Sequence, residues 1–188
     1  MAKQFPEIGG VHRDFIGRQH VFFAASAAAA TRVNLSPRST DALRVLDPNA
    51  VAYLDRTGSG NETAAHLRAD GRLTLMFCSF EGPPLILRLY GRGRVLRRQS
   101  RDYARLLTAE FSDTEPLGTR QMVRLDVDLV QTSCGFGVPL FEHQGERVAM
   151  DRWAEAKGEA GLQAYWREKN THSIDGLPTG LFEDTPVE

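Results

Sequence analysis

The segment Gln121 to Thr132 constrains the fold more than any other stretch. Apolar and charged side chains alternate along it: Val123, Leu125, Val127 and Leu129 on one face, Arg124, Asp126 and Asp128 on the other. A period of two marks a half-exposed antiparallel strand, with its apolar residues pointing in. Leu73 to Phe80 and Leu85 to Val95 are two more strong strands, around the turn Glu81-Gly-Pro-Pro84. Leu73, Leu75 and Phe77 face one way, and Thr74, Met76 and Cys78 the other. Both faces are mostly apolar, as in a barrel wall that is also covered on its outside.

The remaining segments fit the same plan. His20 to Ser26 is a compact apolar run that reads as a buried strand. Arg32 to Ser36 alternates and ends at Pro37. Leu43 to Leu46 and Val51 to Asp55 form a hairpin around Asp47-Pro48-Asn49. Val11, Phe15 and Ile16 recur at helical spacing within Val11 to Gln19. A second helix follows Ser59 and Glu62, which have capping-box spacing, and continues through Ala64, Ala65 and Leu67. Tyr103, Leu106 and Leu107 mark a third over Asp102 to Phe111. The tail, about 149–170, is helical, with Gly158 between two apolar stripes, and 176–188 reads as loop. Strand runs with peripheral helices predict a barrel rather than a doubly wound parallel sheet.

Composition bounds the function. The chain has 188 residues, 41% hydrophobic and 25% charged, with a formal net charge of -1. That length favours one domain over 1–188, and the neutral balance argues against nucleic acid as a partner. The densest basic stretch, Arg92, Arg94, Arg97, Arg98 and Arg101, reads as a solvated strand end. Val21 to Ala30 is apolar but too short to cross a bilayer, so no membrane partner is expected. No signal peptide is visible, and Cys78 and Cys134 do not form a secreted disulfide scaffold, so a reducing cytoplasmic setting is expected. The five histidines show no HxH or HxxxH spacing, and no Cys/His cluster exists, so no metal site is expected. No Gly-x-Ser-x-Gly elbow is present.

Three stretches carry candidate chemistry. In Asp55-Arg-Thr-Gly-Ser-Gly-Asn-Glu-Thr63 a strand runs through glycines into a helix start. Backbone N–H groups there point outward and favour an anion, and Gly58 and Gly60 permit close approach. Ser59, Asn61 and Thr63 can add hydrogen bonds, and Arg56 or Arg38 a positive charge. A plain capped helix behind a turn explains the same residues. Asn34, Ser36, Pro37 and Arg38 form a polar strand end that can meet a heterocycle, or simply face water. In Gln131 to Pro139, Cys134 and Gly135 are small enough for a flat ligand to approach. A catalytic thiol at Cys134 has no recognisable base beside it.

In this order and spacing, Arg32 to Arg38, Asp55 to Thr63, His66 to Leu75 and Leu87 to Gly91 resemble the pyridoxamine 5′-phosphate oxidase-like FMN-binding proteins. The resemblance covers roughly residues 11–140. Ser133 to Pro139 resembles a bacterial subgroup of that family. The resemblance implies a mainly β fold with peripheral helices (α+β), a six-stranded antiparallel split β-barrel. It implies a homodimer with FMN at the interface, and a flavin-dependent oxidoreductase acting on a small-molecule substrate. Asn34, Ser36 and Arg38 would meet the flavin, and Asp55 to Thr63 its ring edge and phosphate. Related barrels take a deazaflavin or haem, or serve as non-catalytic stress or interaction proteins, so these are the alternatives. Glu62-Thr63 stand where many of the family's oxidases have Arg-Lys. The phosphate would then fall to Arg38, Arg56 or a partner arginine. Trp166 to His172 does not reproduce the family's Arg-x-His substrate motif, so vitamin B6 oxidation is not expected.

Overall fold

Eight strands make one antiparallel sheet in the computed structural model, which describes residues 2–183. They are β1 (Lys3–Phe5), β2 (Val21–Ser26), β3 (Asn34–Ser39), β4 (Leu43–Asp47), β5 (Ala50–Arg56), β6 (Arg72–Cys78), β7 (Ile86–Arg97) and β8 (Thr119–Ser133). The helices among the described residues are α1 (Gly10–Gly17), α2 (Glu62–Ala69), α3 (Arg101–Phe111) and α4 (Ala149–Lys169). The sheet order is β3-β2-β6-β7-β8-β5-β4, with β1 added against the far end of β8. Its two edges, β3 and β4, are consecutive in the chain. Only the single turn Thr40–Ala42 joins them. A flat sheet would hold these edges far apart, so the sheet must curl until they nearly meet, which gives the split barrel.

The strand count exceeds the expected six. The short β1 carries no periodic signal, and β3 and β4 are separate edge strands. Pro37 does not end β3 but sits inside it, opposite Phe23 of β2. An edge strand tolerates proline because its missing N–H costs no ladder bond. Arg32 and Val33 lie before the strand.

Both faces of the wall are packed, as the apolar alternation required. Phe22, Tyr53, Phe77, Leu87, Leu89, Val123 and Leu125 fill the interior. Their neighbours Ala52, Leu54, Leu96 and Met122 point outward and meet Tyr103, Leu106 and Phe111 of α3. Fully burying one such large side chain contributes roughly 1.5–3 kcal/mol. The alternation of β8 breaks at one point. Gly91 pairs with Val127 but Tyr90 with Leu129, so Asp128 is a bulge residue. Val130 therefore points inward in place of the expected Leu129, which stays partly exposed. A side chain at Gly91 would run into the Asp126 carbonyl, so only glycine fits this crossing.

The α2 start also differs from its capping-box pattern. Asn61 is the N-cap and makes no side-chain cap bond. The Glu62 carboxylate instead accepts the Ile174 N–H at 3.1 Å, tying the C-terminal segment to the helix. In α4, Gly158 (φ 63°, ψ 170°) breaks the helix as expected. Ala154, Leu162 and Trp166 bury one face of α4. The Trp166 indole donates to Thr57 Oγ1 at 2.7 Å, and Thr57 Oγ1 donates to the Gly118 carbonyl at 2.7 Å. The basic stretch is matched by acids: Arg94 pairs with Asp102 and Arg98 with Glu115. No helix among the described residues is long and apolar enough to cross a membrane. Part of the expected C-terminal loop, 184–188, lies outside the described residues.

Candidate functional site

A cleft of about 1970 Å³ opens where the barrel edges approach each other. One wall comes from β3 and the loop between β5 and α2. Asn34, Ser36, Pro37, Arg38, Arg56, Gly58, Ser59, Gly60, Glu62 and Thr63 all line it. Two segments far apart in sequence thus share one wall. The link between them is direct: Asn34 Nδ2 donates to Thr63 Oγ1 at 3.0 Å, and Ser36 Oγ donates to Asn34 Oδ1 at 3.1 Å.

Beneath this wall lies a buried ionic cluster. Asp55 is fully buried at the end of β5. Arg120 Nε donates to its Oδ2 at 3.0 Å, and Gln121 Nε2 donates to the same oxygen at 2.8 Å. Arg38 Nη1 lies 2.6 Å from Asp55 Oδ1, as a close charge contact rather than an aligned hydrogen bond. Burial alone would raise the Asp55 carboxyl. The charges of Arg120 and Arg38 and the Gln121 hydrogen bond outweigh it and hold it below the usual carboxylate range. Arg38 stacks over the Tyr53 ring at 5.0 Å. Burial pushes the Tyr53 phenol up to about 12, against the opposing pull of Arg38. Tyr53 is therefore neutral at physiological pH and is no general base.

Asp55 and Asn61 are among the expected site residues, yet neither lines the cleft. Both are structural supports. Asn61 Oδ1 accepts from Gln121 Nε2 at 2.8 Å, and Asn61 Nδ2 donates to the Asn170 carbonyl at 3.3 Å. Asn170 in turn accepts from Arg120 Nη1 at 2.7 Å and donates to the Gly58 carbonyl at 3.2 Å. The glycine loop is thereby clamped by the end of α4. Arg120, Gln121 and Asn170 escaped the sequence reading. A signal existed: an aspartate closing the apolar run Ala50 to Leu54 needs a counter-charge, and Gln121 is its cross-strand neighbour.

Cys134 and Gly135 are not among the residues lining the cleft. Cys134 is exposed, and Gly135 (φ 67°) packs so closely on the Leu85 backbone that a side chain would collide with it. Gly135 there serves a tight backbone crossing. His66 does not line the cleft either. It is buried on the inner face of α2, with Nδ1 at 3.1 Å from Ser26 Oγ.

A second wall, bordering the β3 end where Val21 pairs with Ser39, is of another kind. His20, Phe80, Glu81 and residues 141–147 line it. His20 and His143 stack in parallel, 3.7 Å between ring centroids. Phe141 N donates to the Phe80 carbonyl at 3.0 Å, and His143 N to Glu81 Oε1 at 2.8 Å.

The donor set on the first wall fits an anionic ligand. Arg38 is 18% exposed in its side chain, so it has both a buried anchor and a face toward the cleft. Arg38 Nε and Arg56 Nε are buried and have no hydrogen-bond partner among the described residues. Arg56 reaches across to Asp151 at 2.5 Å.

Comparison with known proteins places this architecture. The sequence pattern of the pyridoxamine 5′-phosphate oxidase family matches residues 8–134. The pyridoxamine 5′-phosphate oxidase family protein ustO of Aspergillus flavus is 38% identical over 182 residues, spanning 88% of this chain and 73% of that protein. Among solved structures, HupZ of Group A Streptococcus superposes with a TM-score of 0.52 at 17% identity, covering 65% of this chain and 91% of that one. A variant of HupZ gives 0.55 at 17% identity, covering 67% and 99%. At that identity the two structures speak for the fold alone.

Proposed function

Because the chain belongs to the pyridoxamine 5′-phosphate oxidase family, we propose that its cleft binds FMN and that the protein is a flavin-dependent oxidoreductase acting on a small molecule. The observation that carries this reading is Arg38: one side is tethered to buried Asp55 and the other opens onto the cleft beside the Gly58–Gly60 loop. An arginine held this way is pre-organised for a phosphate or an electron-rich ring edge. Arg56 supplies a second guanidinium, and Asn34, Ser36 and Thr63 supply neutral hydrogen bonds. Glu62 is turned toward Ile174, so the backbone N–H groups of the loop remain the anion's neighbours there. Bound flavin would supply the hydride and electron chemistry, while the chain binds it and orients the substrate.

The cleft exceeds the roughly 300–1,000 Å³ usual for one small ligand, which leaves room for cofactor and substrate together. We also propose a homodimer. Val33 and Leu35 are 73% and 61% exposed at the β3 edge beside the cleft, and a second copy would cover them. A reducing, cytoplasmic setting suits the free thiols of Cys78 and Cys134.

The test is the absorption spectrum of the freshly purified protein, followed by release and mass identification of any chromophore. FMN is the expected product. Arg38→Ala should weaken FMN binding at least about tenfold, the equivalent of one charge-assisted contact. A colourless protein that fails to bind added FMN overturns the reading. Competition against a deazaflavin and haem separates the alternatives, since either could outcompete FMN.

A further inference from the structure

We propose that the second wall of the cleft is a binding site for a divalent transition-metal ion of the zinc class, held by His20, His143 and Glu146. The proposal goes beyond flavin binding and does not depend on it. The donor atoms of these three side chains all lie within 4.8 Å of one another, and His143 Nε2 stands 3.8 Å from Glu146 Oε1. Ligands of one tetrahedral zinc ion, at about 2.0–2.1 Å each, are about 3.3 Å apart. The cluster is thus within roughly half an ångström to one and a half of closure, which rotation of exposed side chains covers.

The convergence is built by the fold. His20 immediately precedes β2, while His143 and Glu146 come from a segment without regular structure far along the chain. That segment is docked at three points: Phe141 N to the Phe80 carbonyl, the Phe141 ring edge-on against Phe80 at 5.6 Å, and His143 N to Glu81 Oε1. These contacts set the His143 ring on the His20 ring. In the stack the ring planes are only 7° apart, so one ring must swing for both lone pairs to meet an ion.

Two histidines and one carboxylate are also the donor set of zinc sites that keep a fourth position open. All three residues line the cleft, so that position faces the space where a substrate would sit. The ion would polarise a substrate oxygen or hold a water there. A borderline ion is favoured over calcium or magnesium, because two of the three donors are imidazole nitrogens.

Calorimetric titration of tag-free, chelator-treated, flavin-free full chain with Zn²⁺ tests this. One ion per chain is expected, and Co²⁺ should give the visible absorption of a tetrahedral site. His20→Ala, His143→Ala and Glu146→Gln should each weaken binding at least about tenfold. His172→Ala, a cleft histidine outside the cluster, should bind as the wild type does. Absence of saturable binding, or unchanged affinity in both His20→Ala and His143→Ala, overturns the proposal. Because no flavin is present, neither outcome bears on the FMN reading.

Discussion

The two walls of the cleft solve the same problem in opposite ways. The first is rigid below and polar above. Asp55, Arg120, Gln121, Asn61 and Asn170 form a linked set of hydrogen bonds at its base, all buried, drawn from β5, β8, the α2 start and the end of α4, with Arg120 also reaching the cleft lining. The second is a rim of mostly exposed side chains on a segment without regular structure, docked at Phe80 and Glu81. Charge at the first wall is buried and matched, so removing one partner strands the others. Charge at the second is solvated, so removing a partner costs little. The first wall therefore belongs to the fold as much as to the site, and the second belongs to the site alone.

The largest effect that would break this contrast is at Asp55. Asp55→Ala leaves Arg120 buried without its counter-charge and should lower stability by about 3–5 kcal/mol, read by urea denaturation. The acid limb should change with it. The folded-state value of Asp55 lies below its ordinary 3.8, so its stabilising contribution is complete above that pH and is lost as pH falls through the folded value. Wild type should lose stability below about pH 3.8, and the variant should lose less there. A loss under about 1 kcal/mol for Asp55→Ala would place the first wall with ordinary surface pairs.

Tyr53 gives a smaller effect of opposite pH sense. Its phenol is raised from 10.0 to about 12. A group whose folded value is raised stabilises fully below its unfolded value and loses that contribution as pH rises through the folded one. The window is therefore pH 10 to about 12, and two units correspond to roughly 3 kcal/mol. Tyr53→Phe should flatten that alkaline limb while leaving the acid limb in place. Identical alkaline limbs in the two proteins would mean the ring is not sealed beneath Arg38.

How much of this the sequence disclosed follows from how local each feature is. The β8 alternation, the strand pair around Glu81-Gly-Pro-Pro84 and the Gly158 break depend on neighbouring residues, and they were legible. Part of the first wall's surface was legible too, because Asn34, Ser36, Pro37 and Arg38 share one strand and Gly58, Ser59, Gly60 and Thr63 share one loop and helix start; Asp55 and Asn61, read as surface with them, lie beneath it. The Asp128 bulge was not, because it arises from where Gly91 crosses β8. Nor were the supports: Arg120 and Asn170 reach Asp55 and Gly58 only through the closed barrel and the docked α4. The same holds for His20 and His143, whose linear spacing hides their stacking. Gly135 misled for a related reason. A small residue signals close approach, but the chain alone does not say whether a ligand or Leu85 is what approaches.

The smallest effect is the one that most sharpens the contrast. Glu81 makes one contact on the second wall, accepting the His143 N–H at 2.8 Å. The residue is exposed, so Glu81→Ala exchanges that bond for one to water, and stability should move by no more than about 0.5 kcal/mol. Zn²⁺ affinity should nonetheless fall about tenfold, because the bond holds the backbone that presents the His143 ring, and outer partners of a metal ligand act at this scale. A glutamine at the same position keeps an acceptor oxygen and should restore most of the affinity. If Glu81→Ala instead costs as much stability as a core substitution, the rim is part of the fold and the two walls do not differ in kind. If stability and affinity are both unchanged, Phe80 and Phe141 alone hold the segment, and the contrast stands with Glu81 removed from it.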